Sequence, residues 1–293
     1  MRIGLIGYPV GHSASPRMQG AAFAAAGLDW SYELWPTPLE ELAARMAAIR
    51  ADAGIGGANV TIPHKQNVMP FLDQISPQAR AIGAVNTIIK TTKTSWVFRD
   101  PGGLVHLIGD NTDWIGFLND LRWHGVEPER IQPKQALVLG AGGSARGIVY
   151  ALAACGLRVN VANRDADRAA QLTAGLQPLF ADVPLRAFAL TREGLEAAGL
   201  DAGVIVNCTS AGMSPNIETT PWVQDVAFPA GAVAYDLVYR PAETLFMRQA
   251  KAAGLRVIGG IGMLAEQGAA AFERWTGQPA ARVAGVMRQA LAA

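Results

Sequence analysis

Short apolar runs alternate along the chain with alanine-rich stretches whose apolar residues recur at helical spacing. In the first 72 residues this pattern predicts strands at 2–6, 31–35 and 57–62 and helices at 16–26, 39–50 and 64–72. In the second half it predicts strands at 136–139, 157–162, 202–207, 233–239 and 256–258. Such alternation is typical of βαβ units, so we predict an α/β fold with a mainly parallel sheet.

One region departs from this alternation. Two strand-like runs, 94–98 and 104–108, flank the turn-rich pentapeptide 99–103 and predict a β-hairpin. The next segment, 114–123, has apolar residues at helical spacing and stops at Gly125. A connector with little periodicity, 126–135, follows it, which predicts a domain junction near this helix.

Composition narrows the function classes. A length of 293 residues favours two domains, and 50% apolar with 17% charged residues excludes a disordered or fibrous protein. A net charge of +1 argues against nucleic acid and membrane surfaces as partners, and the apolar stretch 147–157 is too short to span a bilayer. Cys155 and Cys208 form no CxxC motif, so we expect a cytoplasmic protein without disulfides or bound metal. We expect a monomer or homodimer.

A glycine-rich turn lies between the strand 136–139 and the apolar helical stretch 147–155. Its pattern is Gly140-x-Gly142-x-x-Ala145, the variant of the dinucleotide fingerprint that ends in alanine. The first glycine permits a tight turn, the second lets a pyrophosphate approach the backbone, and the helix start attracts the negative charge. The position of this turn after one strand and before another favours a dinucleotide site over a purely structural turn.

The end of the next strand bears on which dinucleotide binds. NAD sites usually have an acidic residue there for the ribose 2′-hydroxyl, whereas this chain has Asn163 and Arg164, with Arg168 one helical turn further on. Guanidinium groups suit a 2′-phosphate, so NADP is favoured. Two alternatives stay open: the arginines also fit a solvated helix face, and Asp165 favours NAD because its carboxylate would repel a 2′-phosphate.

The segment Asn59–Lys65 alternates polar and apolar residues at a strand end. With a period of two, Asn59 and Thr61 share one face while Val60 and Ile62 face the core, and Pro63 ends the strand. Lys65 therefore lies where α/β folds present ligand-binding groups, although an isolated lysine is more often a surface charge. Asp113 and Ser15 each precede or begin a predicted helix and suit a capping role as well as a ligand role.

The chain resembles the shikimate/quinate dehydrogenase family, and the resemblance extends over nearly its whole length. The motifs that carry it are Gly11–Pro16 (GHSASP), Asn59–Lys65 (NVTIPHK), Gly83–Thr87 (GAVNT), Asn111–Asp113 with Gly116, Gly140–Gly143, Asn207–Met213 (NCTSAGM), Tyr235–Tyr239 (YDLVY), and Gly262–Leu264 with Gln267.

The resemblance implies the reversible NADPH-dependent reduction of 3-dehydroshikimate to shikimate, in the biosynthesis of chorismate and the aromatic amino acids. It implies that Lys65 and Asp113 are catalytic. Hydride addition to a ketone places negative charge on oxygen, which an ammonium group stabilises and then protonates. The substrate-binding residues that it implies are Ser13, Ser15 and Tyr239 for the carboxylate, and Asn59, Thr61, Asn86, Asp113 and Gln267 for the hydroxyls.

The resemblance also implies a domain arrangement: an α/β substrate domain of residues 1–112 plus 262–293, a Rossmann-type dinucleotide-binding domain of residues 113–261, and a cleft between them. The implied cofactor-binding residues are Gly140, Ala141, Gly142, Gly143, Ser144, Ala145, Asn163, Arg164, Arg168, Thr209, Ser210, Leu237 and Gly260. On the predicted helix 261–275 the apolar residues 261, 264, 265, 268, 272 and 275 form a stripe, and Gln267 lies off it.

The chain departs from the family pattern at three places. Asp165 replaces a usual threonine, Gly259 replaces a common aspartate, and the hairpin region 91–109 is longer than usual. Two other functions are therefore kept: a quinate/shikimate dehydrogenase that uses NAD, and a non-catalytic sensor of metabolites of the same pathway. His12 and His64 lie within motifs, and the sequence leaves open whether they pack or support ligands.

Overall fold

The computed structural model describes residues 1–91 and 105–292. They form two compact units, Met1–Thr112 with Ala265–Ala293 and Asp113–Leu264. The first segment of the first unit ends at Thr112 and the chain returns to this unit at Ala265; the domain bounds implied by the resemblance are 112 and 262. The α/β fold class is confirmed.

The described helices and strands follow one another along the chain as β1 (Arg2–Gly7), α1 (Ser15–Ala25), β2 (Ser31–Pro36), α2 (Leu42–Ala51), β3 (Ile55–Val60), β4 (Gln74–Ile75), α3 (Pro77–Ile82), β5 (Thr87–Thr91), β6 (His106–Asp110), α4 (Asp113–Trp123), β7 (Gln135–Leu139), α5 (Gly143–Ala154), β8 (Arg158–Asn163), α6 (Ala166–Leu176), β9 (Leu185–Ala189), α7 (Arg192–Gly199), β10 (Val204–Asn207), β11 (Val233–Asp236), α8 (Leu245–Ala252), β12 (Arg256–Gly259), α9 (Ile261–Thr276) and α10 (Ala284–Ala292).

The sheet of the first unit has the order β2-β1-β3-β5-β6-β4 and is mixed. Strands β2, β1 and β3 are parallel, but β5 runs antiparallel to both of its neighbours. Five of the six described strands nevertheless run in the same direction, so the prediction of a mainly parallel sheet is confirmed for this unit, with β5 as the exception. The register pairs Thr87 with Asn59 on one side and with Asp110 on the other. Three polar residues from separate strands thus meet in one row.

The sheet of the second unit has the order β12-β11-β10-β7-β8-β9, and all its strands are parallel. Along β7, Leu137 and Leu139 pack in one apolar cluster and Val138 packs in another. Because alternate residues of a strand point to opposite faces, both faces of this sheet are covered. The strand order reverses between β7 and β10, which is where ligands bind in sheets of this type.

The predicted helix at 64–72 does not form. The Lys65 carbonyl accepts a hydrogen bond from Val85 N–H (2.7 Å) instead of from the chain four residues ahead. Pro70 has no N–H to donate, and Met69–Phe71 make only one turn of 3₁₀-helix. A tertiary contact and a proline therefore convert a helical pattern into a sequence of turns.

The predicted hairpin is only partly within the described residues. Strands β5 and β6 are antiparallel partners, with Thr91 opposite His106. The predicted strand 94–98 and the turn 99–103 lie outside the described residues. No helix within 1–91 or 105–292 is long and apolar enough to cross a membrane.

Candidate functional site

The first unit contains a buried network of amides and hydroxyls where β3, β5 and β6 meet. Asn59 Oδ1 accepts from the Tyr32 hydroxyl (2.8 Å), and Asn59 Nδ2 donates to Asn86 O (3.1 Å) and Thr87 Oγ1 (3.2 Å). Asn59 was predicted to bind a substrate hydroxyl. In the structure its amide contacts two neighbouring strands and holds the backbone of Asn86.

Asn86 joins three of the sequence-predicted segments. Its Oδ1 accepts from Thr112 N–H (2.7 Å), and its Nδ2 donates to Thr112 Oγ1 (3.0 Å) and to Gln267 Oε1 (3.4 Å). Thr112 directly precedes Asp113, which is buried at the first position of α4. The network therefore fixes the chain immediately before Asp113 and brings Gln267 of α9 to Asn86.

Helix α9 is held in place along the face that carries Gln267. Two turns after Gln267, Arg274 Nε donates to Asp110 Oδ2 (2.7 Å), and Trp275 Nε1 donates to Ile88 O (3.0 Å). The stripe prediction is correct for most of this helix but wrong for Ile261, which is 41% exposed. No sequence pattern indicated the Arg274–Asp110 pair, because an exposed arginine and a strand-end aspartate are common singly.

The segment that carries Lys65 is fixed by backbone and side-chain bonds. His64 N–H donates to Thr61 O (2.8 Å), and the fully buried His64 ring binds Thr37 O through Nε2 (2.6 Å). Because Thr37 O is an acceptor, Nε2 carries the proton. Lys65 itself is half-buried. The prediction that Ile62 faces the core is wrong, since it is 58% exposed beside the cis Ile62–Pro63 bond.

Two serine hydroxyls lie side by side at the start of α1. Ser13 Oγ and Ser15 Oγ are 3.1 Å apart, and Ser13 Oγ also accepts from Ser15 N–H (3.2 Å). Ser15 was expected to cap this helix, but Ala14 holds the cap position and no side chain caps it. Both hydroxyls lie at the positive end of a helix dipole, an arrangement that suits a carboxylate.

In the second unit the glycine-rich turn has the geometry of a dinucleotide cradle. Gly140 has φ +105°, and a Cβ there would lie 3.0 Å from Thr209 Cγ2. A Cβ on Gly142 would meet no atom within 4 Å, so this face is open to a ligand. Helix α5 begins at Gly143 without a side-chain cap, and Ala145 is fully buried against the sheet. The residues present fit the pyrophosphate of a dinucleotide.

Asp165 lies in the segment that follows β8, where helix α6 begins. Asp165 is the N-cap of α6, where its Oδ1 accepts from Arg168 N–H (3.3 Å). Asn163 Nδ2 donates to Asp165 O (2.8 Å), which fixes the turn. The side chains of Arg164 and Arg168 are exposed. The carboxylate thus has a structural partner within its own helix, while two guanidinium groups remain at the surface.

The ends of β10 and β11 carry the remaining predicted cofactor residues. Thr209 donates to Asn207 Oδ1 through both its N–H (2.9 Å) and its hydroxyl (2.7 Å), and Ser210 is exposed. Leu237 is half-buried. A Cβ on Gly260 would lie 2.2 Å from the Leu237 carbonyl oxygen, so only glycine fits at position 260. Tyr239, a predicted substrate residue, is half-buried two positions later.

The departure at Gly259 has no steric origin. A Cβ on Gly259 would lie 3.4 Å from Met247 Cε, which is an ordinary van der Waals contact. A Cβ therefore fits at this position, where an aspartate is common in the family. Within the described part of the chain, no cluster of His, Cys, Asp or Glu is placed to hold a metal ion.

Three family models match this chain. They describe the shikimate dehydrogenase substrate binding domain over residues 5–88, shikimate/quinate 5-dehydrogenase over 126–213, and the shikimate 5′-dehydrogenase C-terminal domain over 260–292. A shikimate dehydrogenase (NADP(+)) of Symbiobacterium thermophilum is 45% identical over 280 residues, which cover 94% of this chain and 89% of the relative.

Solved structures agree in fold over the whole chain. Shikimate 5-dehydrogenase of Thermus thermophilus, in complex with NADP(H) and shikimate, is 39% identical with a TM-score of 0.80 and covers 99% of both chains. The enzyme of Listeria monocytogenes, in complex with shikimate and NAD, is 31% identical with a TM-score of 0.80 and covers 95% of this chain and 92% of its own.

Proposed function

The chain belongs to the shikimate dehydrogenase family, and from this premise we propose that it catalyses the reversible NADPH-dependent reduction of 3-dehydroshikimate to shikimate. This reaction is a step in the biosynthesis of chorismate and the aromatic amino acids. The observation that carries the proposal is the Asn86 network, in which a buried amide joins Thr112 and Gln267. A polyhydroxylated ring requires such a set of fixed amide and hydroxyl groups.

The substrate roles follow from the chemistry of each group. Ser13 and Ser15 bind the carboxylate at the start of α1, assisted by Tyr239. The ring hydroxyls are bound by Thr61, Asn86, Asp113 and Gln267. Asn59 belongs to the same set, and its bonds to Tyr32, Asn86 O and Thr87 hold its amide in position.

Lys65 supplies the proton of the reaction. Negative charge grows on the carbonyl oxygen during reduction, and the Lys65 ammonium stabilises it and then protonates it. The bonds of His64 to Thr37 and of Val85 to the Lys65 carbonyl fix the backbone from which the ammonium extends. Asp113 hydrogen-bonds a substrate hydroxyl from the buried start of α4. In the oxidation direction Lys65 must first lose its proton, so the rate rises with pH.

NADPH, when bound, supplies the hydride. The turn from Gly140 to Ala145 holds the pyrophosphate, and Arg164 with Arg168 holds the 2′-phosphate through charge-assisted hydrogen bonds. The cofactor site is completed by the loops that carry Thr209, Ser210, Leu237 and Gly260. NADP is preferred to NAD because the exposed guanidinium groups donate hydrogen bonds to the 2′-phosphate. The Asp165 carboxylate is already bonded to the backbone N–H of Arg168.

A steady-state comparison tests this function. Rates are measured at 340 nm for shikimate and quinate, each with NADP⁺ and NAD⁺. We expect the highest kcat/KM for shikimate with NADP⁺. Arg164→Ala should lower kcat/KM for NADP⁺ about tenfold, which corresponds to the loss of one charge-assisted hydrogen bond. The value of kcat/KM for NAD⁺ should not change. The exposed Arg186 on β9 provides the control variant Arg186→Ala.

Two results would overturn the proposal. A higher kcat/KM for quinate with NAD⁺ would support the quinate/shikimate dehydrogenase that Asp165 and the NAD complex of the Listeria monocytogenes relative favour. Tight shikimate binding without any absorbance change would support a sensor. We also propose a cytoplasmic location, because Cys155 and Cys208 form no disulfide, and cell fractionation tests it. The proposed oligomeric state, monomer or homodimer, is tested by light scattering.

A further inference from the structure

A fully buried carboxylate lies at the carboxyl end of β11, next to the predicted cofactor loops. Asp236 Oδ1 accepts from Asn207 Nδ2 (2.9 Å) and from Val238 N–H (2.9 Å), and its Oδ2 accepts from the Thr244 hydroxyl (2.6 Å). All three donors are neutral groups. Burial raises the pKa of Asp236 to about 6, although each of these hydrogen bonds acts to lower it. A buried carboxylate held only by neutral donors is costly, so its retention needs a reason.

One branch from Asp236 leads to the glycine-rich turn. The Asn207 amide that donates to Asp236 presents its Oδ1 to Thr209, which donates twice to it. The Thr209 hydroxyl accepts from Ala211 N–H (3.1 Å), and its methyl group is the nearest neighbour of the position where Gly140 would carry a Cβ. Asp236 thus orients Asn207, Asn207 orients Thr209, and Thr209 packs on the first glycine of the turn.

A second branch leads to the loop after β11. The bond from Val238 N–H to Asp236 Oδ1 turns the chain out of the sheet, which is why β11 ends at Asp236 and not at the predicted residue 239. Leu237 and Tyr239 flank the bonded Val238. The Leu237 carbonyl in turn touches Gly260 closely enough to exclude any side chain there.

A third branch reaches α8. Thr244 is the N-cap of this helix, and its hydroxyl accepts from Met247 N–H (3.2 Å) while it donates to Asp236. Its Cβ also lies 3.1 Å from the position of a Cβ on Gly212, which has φ +85° in the loop after β10. The loops after β10 and β11 are therefore attached to one carboxylate and to the start of one helix.

We propose that Asp236 is a positioning residue for the dinucleotide site: through Asn207, Val238 and Thr244 it holds the loops that carry Thr209, Leu237 and Tyr239, and Thr209 packs on the Gly140 turn. The proposal rests on the proposed function, since it assumes that these loops bind NADP. Asp236 itself does not touch the cofactor or the reacting atoms. Sequence reasoning missed it, although a charged residue at the end of an apolar strand is a recognisable signal.

Direct titration of NADP⁺ into the purified protein, followed by calorimetry, tests this role. Asp236→Ala removes all three acceptor bonds, and we expect its Kd for NADP⁺ to rise at least about tenfold, as for loss of one hydrogen bond to a charged group. Asp236→Asn retains an oxygen for Asn207 and Val238 and a group that reaches Thr244. It should bind NADP⁺ within about twofold of the wild type.

The matched control is Asn160→Ala. Asn160 is a buried polar residue on β8 that donates to Ala198 O (2.8 Å), away from the loops after β10 and β11. Its replacement lowers stability through the same kind of lost bond and should leave the Kd for NADP⁺ unchanged. Equal Kd values for Asp236→Ala and Asn160→Ala, or failure of Asp236→Asn to restore binding, would overturn the proposal.

If Asp236→Ala does not fold, Asn207→Ala tests the same branch. This variant leaves Asp236 with two donors but releases Thr209, so the Kd for NADP⁺ should again rise about tenfold. An unchanged Kd would overturn the proposal. Failure of the proposed function is a separate outcome, because it appears in the wild-type protein as absence of NADP⁺ binding or of shikimate oxidation.

Discussion

The proposed ligand-binding edges of the two units differ in whether backbone or side-chain groups form them. In the second unit the edge is mainly backbone: a glycine turn with φ +105° at Gly140, an uncapped helix start at Gly143 and an open face at Gly142. In the first unit it is mainly side chain, because buried amides and hydroxyls such as Asn59 and Asn86 hold one another across three strands. The sheets differ accordingly, one fully parallel and the other mixed.

This difference fits the chemistry of the two ligands. A pyrophosphate is a symmetric anion, and N–H groups at a helix start bind it in any protein that presents them. A ring with several hydroxyls needs donors and acceptors at fixed, unequal positions, which only side chains provide. The antiparallel β5 brings Thr87 between Asn59 and Asp110 and so creates such positions.

The largest effect should come from Lys65, the side chain assigned to the chemical step. Lys65→Ala should reduce kcat about 10²- to 10⁴-fold, the usual contribution of a general acid. The Kd for NADP⁺ should stay within about twofold of the wild type, because the glycine turn is unaffected. The exposed Lys134 gives the matched control, Lys134→Ala. Wild-type turnover in Lys65→Ala would remove Lys65 from the mechanism.

The backbone-built edge could be predicted from the sequence more fully than the side-chain-built one. Gly140, Gly142 and Ala145 have roles that depend on local conformation, and a single strand–turn–helix pattern contains all of that information. The apolar runs also predict strands that are covered on both faces, and Val138 and Leu139 are buried on opposite faces of the sheet.

The side-chain edge depends on contacts between distant segments, which no local pattern contains. The helix predicted at 64–72 fails because Val85 takes the Lys65 carbonyl, and Asn59 is occupied by Tyr32 and Thr87. The sequence predicts that His64 packs or supports ligand-binding neighbours, and its bond to Thr37 identifies it as an anchor for the Lys65 segment. Each of these outcomes depends on the fold as a whole.

Buried carboxylates extend the comparison to stability. Asp110 in the first unit is paired with Arg274, whereas Asp236 in the second has only neutral donors, and burial raises its pKa from 3.8 to about 6. Between these values the folded protein binds more protons than the unfolded chain, so stability falls as pH rises from about 4 to 6. At pH 7 ionised Asp236 costs up to about 3 kcal/mol relative to its protonated form.

Asp236→Asn removes this titration and isolates its effect. The free energy of unfolding of the variant minus that of the wild type should increase by up to about 3 kcal/mol between pH 4 and pH 7. Urea denaturation of both proteins across this range measures it, and other carboxyl groups cancel in the difference. A difference that does not change with pH would show that Asp236 has the same pKa in the folded and unfolded states.

The backbone geometry of the glycine turn predicts a smaller and more selective effect. Gly140→Ala places a Cβ 3.0 Å from Thr209 Cγ2 at a φ that side-chain-bearing residues rarely adopt. The Kd for NADP⁺ should rise about 10- to 30-fold, while shikimate binding, measured by calorimetry, should not change. Gly156, with φ +81° and no atom near its Cβ position, provides the control for strain alone.

Gly156→Ala should lose about 1–2 kcal/mol of stability from the left-handed conformation and bind NADP⁺ normally. If both alanine variants bind NADP⁺ equally well, the turn at Gly140 is not a cofactor contact. If both lose shikimate binding as well, the two edges are not separable in the way that their construction suggests.

The smallest effect concerns the charge at Asp165, an exposed carboxylate next to Arg164 at the proposed 2′-phosphate site. Asp165→Ser keeps an oxygen for Arg168 N–H, so α6 retains its cap, and removes one negative charge near that site. KM for NADP⁺ should fall about two- to threefold at low salt, with less effect at high salt, and KM for NAD⁺ should not change.

Asp165→Ala separates the charge of this residue from its cap. It should show the same fall in KM for NADP⁺ but lose about 1 kcal/mol of stability, since no oxygen remains for the Arg168 amide. A large rise in KM for NAD⁺ in both variants would mean that the Asp165 carboxylate binds the ribose. In that case the cofactor edge of the second unit would also depend on a side chain, and the contrast with the first unit would be one of degree.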